Sequence, residues 1–312
     1  MESFSVGSAL THFLNTKGPG RFLTKYILTY TAILVGFSLI YGVFYYLLLG
    51  QPISAIMEGG SPDAMSGYML RFALFSLISL PLSAVYLSIV EGAALRRYVR
   101  FEPFSIRFGA DEFRLIGVYA LYFGLIIAVY IAMILIVLGI GLIGSLFFGA
   151  DSAIRWLGAF IPIIIFLAYL SIFVFIIWGL LRLSPASSLT IRDKRITFLS
   201  AAHLSRGYVW KLFGAYALLV IVMYAVLAVV MGVMFAIGAP FLLGAPDIAA
   251  NDPVAPLGAE TGTTMMLISS LSTVVLSPLY AAIHVCGLGI PAKLAVTDPD
   301  WPGAIEQAGV FD

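Results

Sequence analysis

The ionisable side chains that could do chemistry here sit in apolar company. Glu91 lies in Val90-Glu91-Gly92-Ala93-Ala94-Leu95-Arg96, at the end of a long apolar run, and His284 lies in another, six residues after Pro278. An ionisable residue inside hydrocarbon is costly, so it marks a proton or substrate pathway unless a partner neutralises it. For Glu91 the plain reading is an ion pair with a nearby arginine at the membrane interface, and the sharper one is a coupling carboxylate. For His284 the plain reading is a neutral ring bonded across helices, and the sharper one is a proton relay. Arg182 fits a side chain snorkelling to the inner face, and Arg71 and Arg155 fit the same role at the outer face.

Other chemistry finds little support. His12, His203 and His284 fall in unrelated segments, and no carboxylate pair has metal-ligand spacing. Gly139, Gly141 and Gly144 lie within an apolar run rather than in a phosphate loop, and with Gly232 and Ala236 they are expected to allow close helix approach. Ser277 and its neighbouring serines are expected to bond helix backbone rather than to attack a substrate. The reading is therefore non-enzymatic, with no cofactor and no metal. A net charge of +1 leaves no nucleic-acid footprint, and the single Cys286 excludes an intramolecular disulfide.

The elements that hold these residues are set by the bilayer. Of 312 residues, 61% are hydrophobic and 11% charged, against roughly 45–50% and about 25% in soluble domains. A soluble fold could not cover that apolar surface. A membrane-crossing helix needs about 20 apolar residues. Six stretches qualify: about Phe22–Leu49, Tyr68–Leu95, Phe113–Phe148, Ala153–Leu183, Val209–Leu243 and Met265–Ile290. The expected fold is an all-α bundle of six transmembrane helices forming one domain over 1–312. Residues Met1 to Asn15 are weakly polar and do not read as a cleavable signal.

Charge sets the expected orientation. Of 17 Lys and Arg residues, 15 fall in the N-terminal segment, the second and fourth loops or the C-terminal end, leaving Arg71 and Arg155 on the other side. Cytoplasmic loops hold such an excess. Both termini are therefore expected on the cytoplasmic side of the membrane.

The spans also echo one another. Phe113-Arg114-Leu115-Ile116-Gly117-Val118-Tyr119-Ala120-Leu121 matches Trp210-Lys211-Leu212-Phe213-Gly214-Ala215-Tyr216-Ala217-Leu218 in kind at every position, at an offset of 97 residues. Lys25 and Tyr30 keep a fainter copy. Each basic residue is expected to reach the headgroups and each tyrosine to sit in the aromatic belt. The even spans each carry a proline, Pro81, Pro162 or Pro278, read as a kink. The pattern predicts three like-oriented hairpins at about 20–97, 98–184 and 185–296, with a short cytoplasmic tail at 297–312. Repeats of equal orientation are related by an axis along the membrane normal. The outer loop from Gly244 to Thr263 is rich in Pro, Gly and Ala.

Two connections carry the remaining polar signal. From Arg96 to Phe113, basic residues alternate with Tyr98, Phe101, Phe104, Ile106 and Phe108, and Asp111 is placed to cap the third span. From Ser184 to Val209, Phe198-Leu199-Ser200-Ala201-Ala202-His203-Leu204 reads as a short amphipathic helix ended by Ser205-Arg206-Gly207. Such segments suit interfacial helices on anionic lipid. The candidate docking residues are Arg96, Arg97, Arg100, Arg107, Arg192, Lys194, Arg195, Arg206, Trp210 and Lys211, facing anionic headgroups or a membrane or cytoplasmic protein partner.

The stretch Ala201-Ala202-His203-Leu204-Ser205-Arg206-Gly207-Tyr208-Val209-Trp210-Lys211-Leu212 resembles a loop of bacterial multi-pass proteins related to the membrane domain of glycerophosphoryl diester phosphodiesterase. That loop reads Ser-Trp-x-Leu-Thr-x-Gly-x-x-Trp-x-Leu, and Leu204, Ser205, Gly207, Trp210 and Leu212 match it, while Ala202 replaces its first aromatic. Arg107-Phe108-Gly109-Ala110-Asp111-Glu112-Phe113-Arg114 likewise resembles uncharacterised alphaproteobacterial multi-pass proteins. The resemblance implies a membrane family without a soluble phosphodiesterase domain, and assigns no activity. Two readings stay open: a protein that organises or binds lipid or a partner through its cytoplasmic loops, or a small transporter or channel for a hydrophobic or lipid-like substrate.

Overall fold

A computed structural model describes residues 4–14, 21–49, 62–148, 160–243 and 259–298. Within them every regular element is a helix: α1 (Val6–Leu10), α2 (Phe22–Leu49), α3 (Pro62–Arg100), α4 (Ala110–Phe148), α5 (Ile161–Leu183), α6 (Ala186–Asp193), α7 (Phe198–Leu204), α8 (Val209–Leu243) and α9 (Ala259–Val296). Six of these, α2, α3, α4, α5, α8 and α9, are long and apolar enough to cross a membrane. Arg155, most of the Gly244 to Thr263 loop and the end of the C-terminal tail lie outside the described residues.

The long helices touch in chain order: α2 on α3, α3 on α4, α4 on α5, α5 on α8 and α8 on α9. Then α9 closes back on α2 and also packs on α3. The short helices gather at one end. There α1 lies against α8 and α9, α6 against α3, α4 and α9, and α7 against α5 and α6. Most of the basic residues are at this end. It also holds most of the buried core, including Phe22, Tyr26, Leu95, Tyr98, Leu115, Ile191 and Val285. The most apolar stretches of α4, α5 and α8 contain no buried residue. Lipid is a good solvent for such shafts, and helix association in hydrocarbon gains nothing from hydrophobic burial.

Local chemistry explains the helix ends. Asp111 and Glu112 stand in the first turn of α4, while Arg97 and Arg100 stand in the last turn of α3. Each charge opposes the helix-end partial charge beside it. Phe101 takes φ 57 just past α3, and Gly207 takes φ 89 between α7 and α8. The left-handed turn at Gly207 is free of strain, whereas Phe101 takes it at a cost of about 1–2 kcal/mol. Hydroxyls inside the shafts turn back on their own helices: Ser83 donates to the Ser79 carbonyl at 2.8 Å and Ser171 to Leu167 at 2.8 Å. The Ser277 hydroxyl donates across to Thr31 Oγ1 on α2 at 3.4 Å.

Four expectations need correction. Pro162 does not kink a span, since it stands in the opening turn of α5, where a missing N–H leaves no helix bond unmade. The last span runs on through Pro291 to Val296. Helix α4 begins at Ala110, so Asp111 lies in its first turn rather than capping it. Gly139, Gly141 and Gly232 are not close-packing positions, because a Cβ added there would meet nothing within 4 Å.

Candidate functional site

Four helices bring one polar side chain each to a common point in the bundle. Tyr119 on α4 donates its hydroxyl to Glu91 Oε2 at 2.6 Å. Glu91 Oε1 lies 3.3 Å from His284 Nε2, joining α3 to α9. The other ring nitrogen, His284 Nδ1, lies 2.7 Å from the Tyr26 hydroxyl on α2. The result is a continuous chain, Tyr26–His284–Glu91–Tyr119, across the bundle. Tyr30 packs its ring 5.4 Å from His284, and Tyr86 lies against Tyr30 at 6.1 Å.

This arrangement departs from the arginine partner expected for Glu91, whose bonds go to a tyrosine and a histidine. His284 is bonded across helices on both sides. Tyr119 was expected in the aromatic belt, yet it serves as a buried donor. Tyr26 and Tyr119 were missed as site residues. Tyr119 did carry a signal, five residues after Arg114 in the repeated pattern. Among the described residues, no three His, Cys, Asp or Glu side chains gather as a metal site.

The candidate docking residues separate into two groups. The first group turns inward. Arg96 is 1% exposed and bonds Glu112, itself 0% exposed, while its second amino group donates to the Ser105 carbonyl at 2.9 Å. Glu112 also accepts the Gly109 N–H at 2.8 Å, closing the start of α4. Gly92 permits this approach, since a Cβ there would sit 2.9 Å from Glu112 Oε1. Arg97 is buried, with its guanidinium 5.7 Å over the Phe22 ring. Arg100 makes a two-pronged contact to Asp111 at 2.8 and 3.2 Å and also donates to the Ile191 carbonyl on α6. Arg192 is 7% exposed and straps α6 to the end of α9, through Asp298 at 2.9 Å and the Ala295 carbonyl at 2.6 Å. Arg182 likewise donates to the Ala202 carbonyl at 2.6 Å rather than reaching outward. For Arg96, Arg97, Arg100 and Arg192 the headgroup-facing position expected from sequence does not hold, because helix ends left in apolar surroundings need their carbonyls and charges answered within the protein.

The second group turns outward. Lys194, Arg195, Arg206, Trp210 and Lys211 are exposed, Trp210 at 84%. Arg107 is half exposed and bonds Glu102 at 2.9 Å. Lys211 reaches the Phe4 carbonyl at 3.2 Å. Among the described residues, Lys194, Arg195 and Arg206 have no carboxylate partner. Leu199, at 80% exposure, and Ile196 stand beside them in the chain.

The 201–212 stretch has a physical logic. The Ser205 hydroxyl donates to the Arg182 and Ala202 carbonyls at 2.9 and 3.2 Å. Gly207 supplies the left-handed turn, Leu212 is fully buried, and Trp210 is left outside. No family model matches the chain, and no curated protein or solved structure shows significant similarity to it.

Proposed function

We propose that the chain is a non-enzymatic multi-pass protein of the bacterial inner membrane, with its basic end at the cytoplasmic face, that binds anionic lipid headgroups there. The resemblance carried by Leu204, Ser205, Gly207, Trp210 and Leu212 belongs to the same proposal. One observation supports it above the others. The inward arginines are bonded within the protein, while Lys194, Arg195 and Arg206 stand exposed without a carboxylate, beside exposed Leu199 and Trp210. Basic side chains interleaved with apolar ones match an anionic leaflet, where each adds about 1 kcal/mol of attraction.

The test is the lipid that stays with the protein in mild detergent. Reversing Lys194, Arg195 and Arg206 to Glu removes at least about 3 kcal/mol of attraction, on the order of 100-fold in affinity. Retention of phosphatidylglycerol and cardiolipin should fall accordingly, with zwitterionic lipid unaffected. An unchanged anionic share in the folded variant contradicts the proposal.

A second reading, a small transporter or channel for a hydrophobic or lipid-like substrate, is favoured by the Tyr26–His284–Glu91–Tyr119 chain. Under that reading Glu91→Gln and His284→Gln abolish a growth phenotype at unchanged protein level; under the first reading they do not.

A further inference from the structure

The polar chain can be hydrogen-bonded in two ways, and they differ by one proton. In the first, Glu91 is ionised and His284 is neutral with its hydrogen on Nε2. That N–H donates to Glu91 Oε1, the Tyr119 hydroxyl donates to Oε2, and the Tyr26 hydroxyl donates to the bare Nδ1. Every polar hydrogen in the chain then has an acceptor, but the site carries a net negative charge in an apolar bundle. In the second, one proton enters the Glu91–His284 link. Whether it completes an imidazolium or stays on the carboxyl facing Nε2, the ring then carries a hydrogen on Nδ1. Nδ1 donates to Tyr26, whose hydroxyl must turn away and give up its acceptor on the ring. The net negative charge disappears, and the bond tying α2 to α9 reverses.

Two penalties therefore oppose each other. An uncompensated negative charge on Glu91, whose side chain is 13% exposed, is disfavoured in apolar surroundings, and an unanswered hydroxyl on the buried Tyr26 costs about 1–3 kcal/mol.

The groups around it do not fix the balance. From α2 the neighbour is Tyr30, and from α3 it is Tyr86. Tyr98 is occupied, donating to the Val285 carbonyl at 2.9 Å, with His12 packed 5.6 Å from its ring. On α4, Tyr122 is occupied, donating to the Leu183 carbonyl at 2.5 Å, and Tyr216 stands on α8. On α9, Cys286 is turned to the Leu10 carbonyl at 3.4 Å. Toward the basic end, Arg96 and Glu112 approach Gly92, the neighbour of Glu91, but they neutralise each other. Arg192, on α6, is held farther along α9 by Ala295 and Asp298. Glu91 is thus left with His284 as its bonded titratable base.

We infer that Glu91 and His284 form a binding site for one exchangeable proton, and that its uptake reverses the Tyr26–His284 bond between α2 and α9. This goes beyond lipid docking and does not depend on it.

Nitrogen NMR of histidine-labelled full-length protein in nanodiscs reads the site directly. The chain has three histidines, and His284→Gln assigns the signal. Between about pH 9 and about pH 5, a range spanning the ordinary histidine value, His284 should pass from an Nδ1-bare ring to one carrying hydrogen on Nδ1. In Glu91→Gln the negative charge that draws the proton is gone, and His284 should gain its Nδ1 hydrogen only at lower pH than in the wild type. A wild-type ring that keeps one form across the range overturns the inference, and that measurement needs no variant to fold. A Glu91→Gln ring that switches as the wild type does overturns it as well.

Discussion

The two ends of the long helices solve opposite problems. At the basic end, the connections and short helices would leave charges and helix-end carbonyls in apolar surroundings. They are answered inside the protein, by Arg96 with Glu112, Arg100 with Asp111 and Ile191, and Arg192 with Ala295 and Asp298. In the most apolar stretches of α4, α5 and α8 there is little polar to answer, Ser171 turning back on Leu167, and the apolar side chains are left to lipid. Among the described residues, specific structure is therefore concentrated at the basic end. The shafts supply length and solubility in the bilayer, and the braces decide how the helices are arranged.

That contrast is broken most strongly at the buried pair. Glu112→Ala leaves the Arg96 guanidinium buried without its counter-charge and the Gly109 N–H without its acceptor. A loss of about 3–5 kcal/mol is expected, read as a large drop in thermal stability in detergent. Replacing Arg96 and Glu112 together by Met and Leu should recover most of it. A single Glu112→Ala variant as stable as the wild type would mean that the brace holds nothing.

A matched pair of glycines sharpens the contrast at smaller scale. Gly92→Ala places a methyl 2.9 Å from Glu112 Oε1 and should cost about 1–3 kcal/mol. Gly139→Ala, in the shaft of α4, meets nothing within 4 Å and should stay within about 0.5 kcal/mol of the wild type. Melting curves of the two variants side by side decide this; equal losses would erase the distinction between the ends.

The sequence made the shafts legible and the braces largely illegible. Six apolar runs of sufficient length emerge from hydropathy alone, and the ends of α2, α7 and α8 fall where pattern places them. Helix α6 was invisible because Ser188, Thr190 and Ile191 are buried by tertiary contact, and no apolar stripe announces them. The partners of Glu91 were hidden for another reason. Tyr119 and His284 lie 28 and 193 residues away, and only the closure of α9 onto α2 and α3 brings them together. The arginines misled because basic residues beside a span look alike in sequence, whether they reach for headgroups or for Glu112. Leu115, Val118, Leu212 and Ala215 are all fully buried.

The division of the basic end into inward braces and an outward rim is the central claim, and one crossed comparison tests it. Arg100→Ala with Arg192→Ala is set against Lys194→Ala with Arg195→Ala and Arg206→Ala, with melting temperature and retained anionic lipid measured on both proteins. The first should melt lower and keep its lipid; the second should melt as the wild type and lose it. If both variants lose stability and lipid in parallel, the braces and the rim are one surface, and the account is wrong.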